Sequence, residues 1–133
     1  MRRSALALTV LLALAGCDSN QPIELCENSS LVVETDDVVE GTGAEARQTS
    51  IVVIDYVGTL EDGTEFDSGT NVQFNLGGNV ISGFREGIAG MRVGGRRTIT
   101  IPPYRAYGNP GRPPTIPECA TLTFDVTLDD ING

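Results

Sequence analysis

Apolar and polar residues alternate with a period of two along much of the chain beyond residue 30. Val72, Phe74 and Leu76 are separated by polar residues, and Ile99 and Ile101 alternate with Thr98 and Thr100. Leu122, Phe124, Val126 and Leu128 alternate with Thr121, Thr123, Asp125, Thr127 and Asp129. Each run predicts a strand with one buried and one wet face. Ile51 to Val57 is apolar on both faces apart from Asp55, which predicts a central strand. Leu31 to Val33 predicts a first strand, and Glu61-Asp62-Gly63 a hairpin turn between Tyr56 and Phe66.

One segment breaks the period. From Ser82, taken as N-cap, Phe84, Ile88 and Met91 recur at helical spacing until Gly94-Gly95. Gly83, Gly87 and Gly90 make this a poor helix on its own, so packing against the sheet must hold it. The pattern predicts an α+β fold, an antiparallel sheet with one short helix on one face. Pro102-Pro103 reads as a loop, and Asn109 to Pro114 as a proline-stiffened flap between strands.

The first sixteen residues stand apart. Arg2 and Arg3 precede an apolar run from Ala5 to Leu14, and Leu14-Ala15-Gly16-Cys17 follows. The run is shorter than the ~20 residues that cross a bilayer. With a cysteine placed directly after two small residues, it resembles a bacterial lipobox. The expectation is a signal peptide over 1–16, a diacylated Cys17 and a tether over 17–30. One domain over 31–133 follows, held at a membrane of the cell envelope and facing the periplasm or exterior. Cys26 and Cys119 then remain, and an oxidising compartment makes a disulfide between them the favoured expectation over two free thiols.

Composition removes several chemistries. The chain has no His and no Lys, so imidazole triads, His-based metal sites and Schiff-base lysines are absent. No cofactor or metal is expected. Nine arginines stand against eighteen Asp and Glu, a net charge of −9, which disfavours nucleic acid as a partner.

Candidate chemistry lies on three segments, Leu60 to Ser68, Ile81 to Phe84 and Tyr104 to Gly108. They supply aromatic and branched residues, a carboxylate and tyrosines, but no nucleophile–base pair. Such a cavity suits a small apolar group beside a hydrogen-bonded carbonyl, hence binding or a reaction that breaks no covalent bond. Taken singly, Phe66, Ile81 and Phe124 are better read as core residues of any small β domain, and Asp67 as a turn cap or an arginine's partner.

In order, Gly41-Thr-Gly43, Asp55-Tyr56-Val57-Gly58, Leu60 to Ser68, Val80 to Phe84, Gly87 to Met91, Tyr104 to Gly108 and Ala120 to Val126 resemble the FKBP family. Those are peptidyl-prolyl cis-trans isomerases. The likeness runs from about Leu31 to Ile131. It implies a half-barrel antiparallel sheet wrapped around one short helix. It also implies a pocket walled by Tyr56, Phe66, Asp67, Val80, Ile81, Phe84, Tyr107, Ile116 and Phe124. Proline-containing chains are the implied substrates, macrolides of the tacrolimus and rapamycin type the implied ligands, and a monomer the expected state. Phe84 stands where many eukaryotic members carry a tryptophan floor, and Arg112 replaces a frequent flap histidine. The rival readings are an anchored peptide-docking chaperone that turns over slowly, and a structural envelope lipoprotein.

Overall fold

The computed structural model describes Cys26 and residues 31–132. The signal segment, Cys17 and, apart from Cys26, the tether lie outside the described residues. Five strands form one sheet: β1 (Glu34–Val39), β2 (Ile51–Thr59), β3 (Glu65–Asn75), β4 (Arg96–Ile101) and β5 (Leu122–Ile131). A helix, α1 (Ser82–Ile88), falls between β3 and β4. Every pairing is antiparallel in the order β1-β4-β5-β2-β3, and the two outer strands do not meet. The fold is therefore α+β, an open antiparallel sheet with one short helix among the described residues.

The period-two segments form strands as expected. In β5, Leu122, Phe124, Val126 and Leu128 are buried while Thr123, Asp125 and Thr127 are only partly covered. β2 is interior to the sheet, but only one of its faces is sealed. Val52, Ile54 and Tyr56 are buried, whereas Val57 is exposed on the other side. Among the described residues a single layer covers the sheet, and one core cluster forms, on the opposite face.

Three local expectations are corrected. Leu31 to Val33 does not form the first strand; Leu31 and Val32 are exposed, and pairing begins at Glu34. β1 has no apolar period because all six of its residues are exposed. Its register with β4 is held instead by backbone pairing and by Arg97, whose Nε donates to Asp37 Oδ1 at 2.6 Å. Secondly, the residue at the helix N-cap is Ile81, not Ser82, and no side chain caps it. Ser82 Oγ instead donates to the Arg105 carbonyl at 3.4 Å. Thirdly, the helix stops at Ile88, before Met91. Gly90 has φ +93°, a left-handed conformation that turns the chain away. After Pro102 a 3₁₀ turn spans Pro103–Arg105.

Glycine explains how so short a helix lies on the sheet. A Cβ on Gly83 would overlap the Ile101 side chain, and one on Gly87 would overlap Ile99. The helix thus rests backbone-first on β4. Arg97 Nη1 closes its far end by donating to the carbonyls of Gly87 at 2.8 Å and Ala89 at 3.2 Å.

Cys26 and Cys119 are joined by a disulfide with Cα atoms 5.2 Å apart. Cys119 N–H donates to the Gly108 carbonyl at 2.8 Å, which brings the two ends of the flap together.

Candidate functional site

Between the helix start, β3, β5 and the flap lies a cavity of ≈ 400 Å³. Four aromatic rings close a cycle at its base. Tyr56 meets Phe74 at 5.6 Å between centroids, Phe74 meets Phe84 at 5.2 Å, Phe84 meets Phe124 at 5.1 Å, and Phe124 meets Tyr56 at 6.3 Å. Phe66 stands edge-on to Phe124 at 5.5 Å. Edge-to-face contacts of this kind fix ring orientation as well as burying area. Gly58 makes the last pair possible, since a Cβ there would come within 2.6 Å of Phe66 and 3.0 Å of Phe124.

The sheet delivers neighbouring side chains to the same cavity by breaking its own alternation. Glu65 pairs with Thr59 and Asp67 with Gly58, so Phe66 is an extra residue, a bulge. In a regular strand Phe66 and Asp67 would point to opposite faces. Here both line the cavity. A second irregularity falls opposite Asp55, where Asn71 takes φ 59° and its N–H donates to Asp55 Oδ1 at 2.7 Å.

Polar groups are few and mostly engaged. Tyr56 hydroxyl donates to Asp67 Oδ2 at 2.9 Å, and Ser68 N–H donates to Asp67 Oδ1 at 2.9 Å. Burial, together with that carboxylate, pushes the Tyr56 phenol up to about 12. Arg112 Nη1 donates to the Tyr107 hydroxyl at 3.2 Å, and its guanidinium lies 5.5 Å from the Tyr107 ring centroid. Ile81 N–H, at the start of the helix, has no hydrogen-bond partner among the described residues. No group of three potential metal-ligating side chains occurs among those residues.

Of the nine wall residues named from sequence, eight line this cavity: Tyr56, Phe66, Asp67, Val80, Ile81, Phe84, Tyr107 and Phe124. Ile116 does not. It is buried under the flap and lines an adjoining cavity of ≈ 250 Å³ with Phe66, Asp67, Tyr107 and Arg112. The sequence reading omitted Phe74, Asn79 and Arg112, which also line the larger space. Phe74 had a signal, since it is an inward position of a strand already assigned. Asn79 had none, because it reaches the site from an irregular loop, whereas the family likeness placed Arg112 in the flap without counting it in the wall.

The sequence matches the profile of FKBP-type peptidyl-prolyl cis-trans isomerases over residues 43–129. The chain belongs to that family. An FK506-binding protein of Neisseria meningitidis serogroup A is 43% identical over 104 residues, covering 74% of this chain and 94% of the relative. FK506-binding protein 4 of Rhizopus delemar is 46% identical over 104 residues, 75% of this chain. The match spans about a quarter (27%) of that fungal protein's length. Among solved structures, a peptidyl-prolyl cis-trans isomerase of Pseudomonas syringae superposes with a TM-score of 0.73 at 28% identity, over 80% of this chain and 83% of the other. The FKBP match begins well after residue 17, so it bears on the sheet, helix and flap and not on a lipid anchor.

Proposed function

We propose that this domain catalyses cis–trans rotation of Xaa-Pro bonds in exported or flexible protein chains, without covalent chemistry. The observation that carries the reading is the cavity's construction, six aromatic side chains (Tyr56, Phe66, Phe74, Phe84, Tyr107, Phe124) around a space with no nucleophile–base pair. A prolyl amide rotates through a twisted state that has lost resonance, over a barrier of ~18–20 kcal/mol. The twisted amide separates less charge than the planar one, so an apolar surround penalises it less than water does. Each 1.36 kcal/mol of such differential stabilisation is about a tenfold rate gain.

In this scheme the proline ring rests on the rings of Phe66, Phe84 and Phe124. The free Ile81 N–H anchors a substrate carbonyl, and Tyr107 offers a second donor at the flap. Asp67 holds Tyr56 in place and accepts no substrate proton. Macrolides of the FK506 type, which the relatives are named for binding, would occupy the same space. The residues before the domain support a lipoprotein form: a signal over 1–16, an acylated Cys17, a tether over 17–30 and the isomerase domain over 31–133, held at the cell envelope. Detergent partitioning checks the anchor, since Cys17→Ser should move the protein to the aqueous phase.

NMR exchange on an Xaa-Pro peptide tests the chemistry. Phe124→Ala should cost most of the activity, and about 3–5 kcal/mol of stability as well, so folding is monitored in parallel. Asp67→Asn keeps volume and should keep substantial activity. The rate should be flat from about pH 6 to 9, because no group exchanges a proton. A bell-shaped profile, or a folded but inert Asp67→Asn protein, would return acid–base chemistry to Asp67 and overturn the scheme.

A further inference from the structure

The larger cavity and the adjoining one share Phe66, Asp67, Tyr107 and Arg112, so the two form one groove with a residue-sized annex beneath the flap. Among the described residues, two charged side chains line it, Asp67 and Arg112. Their situations differ. Both Asp67 oxygens already accept hydrogen bonds, from the Tyr56 hydroxyl and the Ser68 N–H. Arg112 spends one Nη1 contact on the Tyr107 hydroxyl and stacks on its ring, which fixes the guanidinium plane without neutralising it. Arg92, Arg96, Arg97 and Arg105 each pair with a carboxylate, and Arg112 takes part in none of those ion pairs. It is exposed at the groove and keeps donors in hand.

We propose that Arg112 is a specificity-determining residue, which makes the groove favour prolines flanked by a carboxylate-bearing residue. The proposal rests on the isomerase reading of the same site. With the proline ring among the aromatic rings, an adjacent residue enters the annex. There an Asp or Glu side chain meets a guanidinium with donors in hand, whereas a Lys or Arg meets the same positive charge beside an Asp67 carboxylate whose two oxygens already accept from neutral donors. The protein's overall charge of −9 repels acidic chains at long range. The local contact therefore acts against the general field, and salt separates the two.

Acetylated, amidated peptides carrying Glu, Gln or Lys before the proline, and a second set carrying them after it, test this. kcat/KM is read by NMR exchange and Kd by shift titration. At low salt, Glu should exceed Gln by about three- to fivefold and Lys by about tenfold in one of the two sets, the scale of an exposed ion pair. About 0.5 M salt should bring those ratios toward one. Arg112→Gln should level the series, Arg112→Lys should keep most of its order, and Arg112→Glu should invert it. A level series in the unaltered protein, or an order that survives Arg112→Gln, overturns the proposal. So does a uniform fall for all peptides in Arg112→Gln, the mark of a residue that only steadies Tyr107. Failure to accelerate exchange in the Gln peptides would count against the isomerase reading instead, and the Kd series would still decide charge selection.

Discussion

Tyr56 donates its hydroxyl to a carboxylate while burying its ring, so ionising it would set two negative charges side by side in a poorly solvated place. Its phenol accordingly moves from the ordinary 10.0 to about 12. A group whose folded-state pKa is raised adds stability that is complete below its unfolded value and is lost as pH rises through the folded one. Stability should therefore fall between about pH 10 and pH 12, and Tyr56→Phe should flatten that fall. Denaturant midpoints across the alkaline range, in the unaltered protein and in Tyr56→Phe, check it. Asp125 shifts in the other sense, since its hydrogen bonds to Arg96 hold the carboxyl below its usual range. That contribution is present at neutral pH and fades as acid protonates the Asp125 carboxylate, and exposure of both partners keeps it small. Residue types alone pointed to an apolar cavity without acid–base machinery. They did not reveal which polar groups were already engaged, because that depends on distances of a few tenths of an ångström between distant segments.

At the scale of elements, period-two runs were legible because each inner strand has one face on the core and one in water. β1 was not, because an edge strand with every side chain exposed carries no alternation to read. The bulge at Phe66 was equally hidden. Alternation assigns Phe66 and Asp67 to opposite faces, and only the pairing with Thr59 and Gly58 shows both reaching the cavity. The helix was foreseen as weak and dependent on the sheet, and the reason for its glycines follows from contact distances. Gly87→Ala should add up to about 1 kcal/mol of helix propensity yet lose more through its collision with Ile99, for a net loss of about 1–2 kcal/mol. A double variant with Ile99→Ala should lose less than the two single losses added together. Chemical denaturation of the four proteins in that cycle gives the coupling directly.

For the whole molecule, setting Cys17 aside as the expected acylation site left two cysteines and made the Cys26–Cys119 bridge readable by count, and the structure contains it. The bridge closes a loop with a sequence separation of 93, worth about 4–5 kcal/mol in the chain-entropy treatment. Thermal unfolding of a Cys26→Ser, Cys119→Ser protein should show a loss of that order. The bridge also decides how the molecule bears tension. A pull on the segment before Cys26 does not peel β1 from the sheet edge, because the force crosses to Cys119, three residues ahead of β5. β5 is the middle strand, flanked by β4 and β2, so tension between the two chain ends runs along its already extended backbone and neither shears nor peels a ladder. Stretched between its ends while oxidised, the protein should show no unfolding step from its sheet and release little slack. Reduction should place the sheet in the force path, so that an unfolding step appears and adds the hidden 93 residues to the extension, roughly 310–330 Å of chain at full reach.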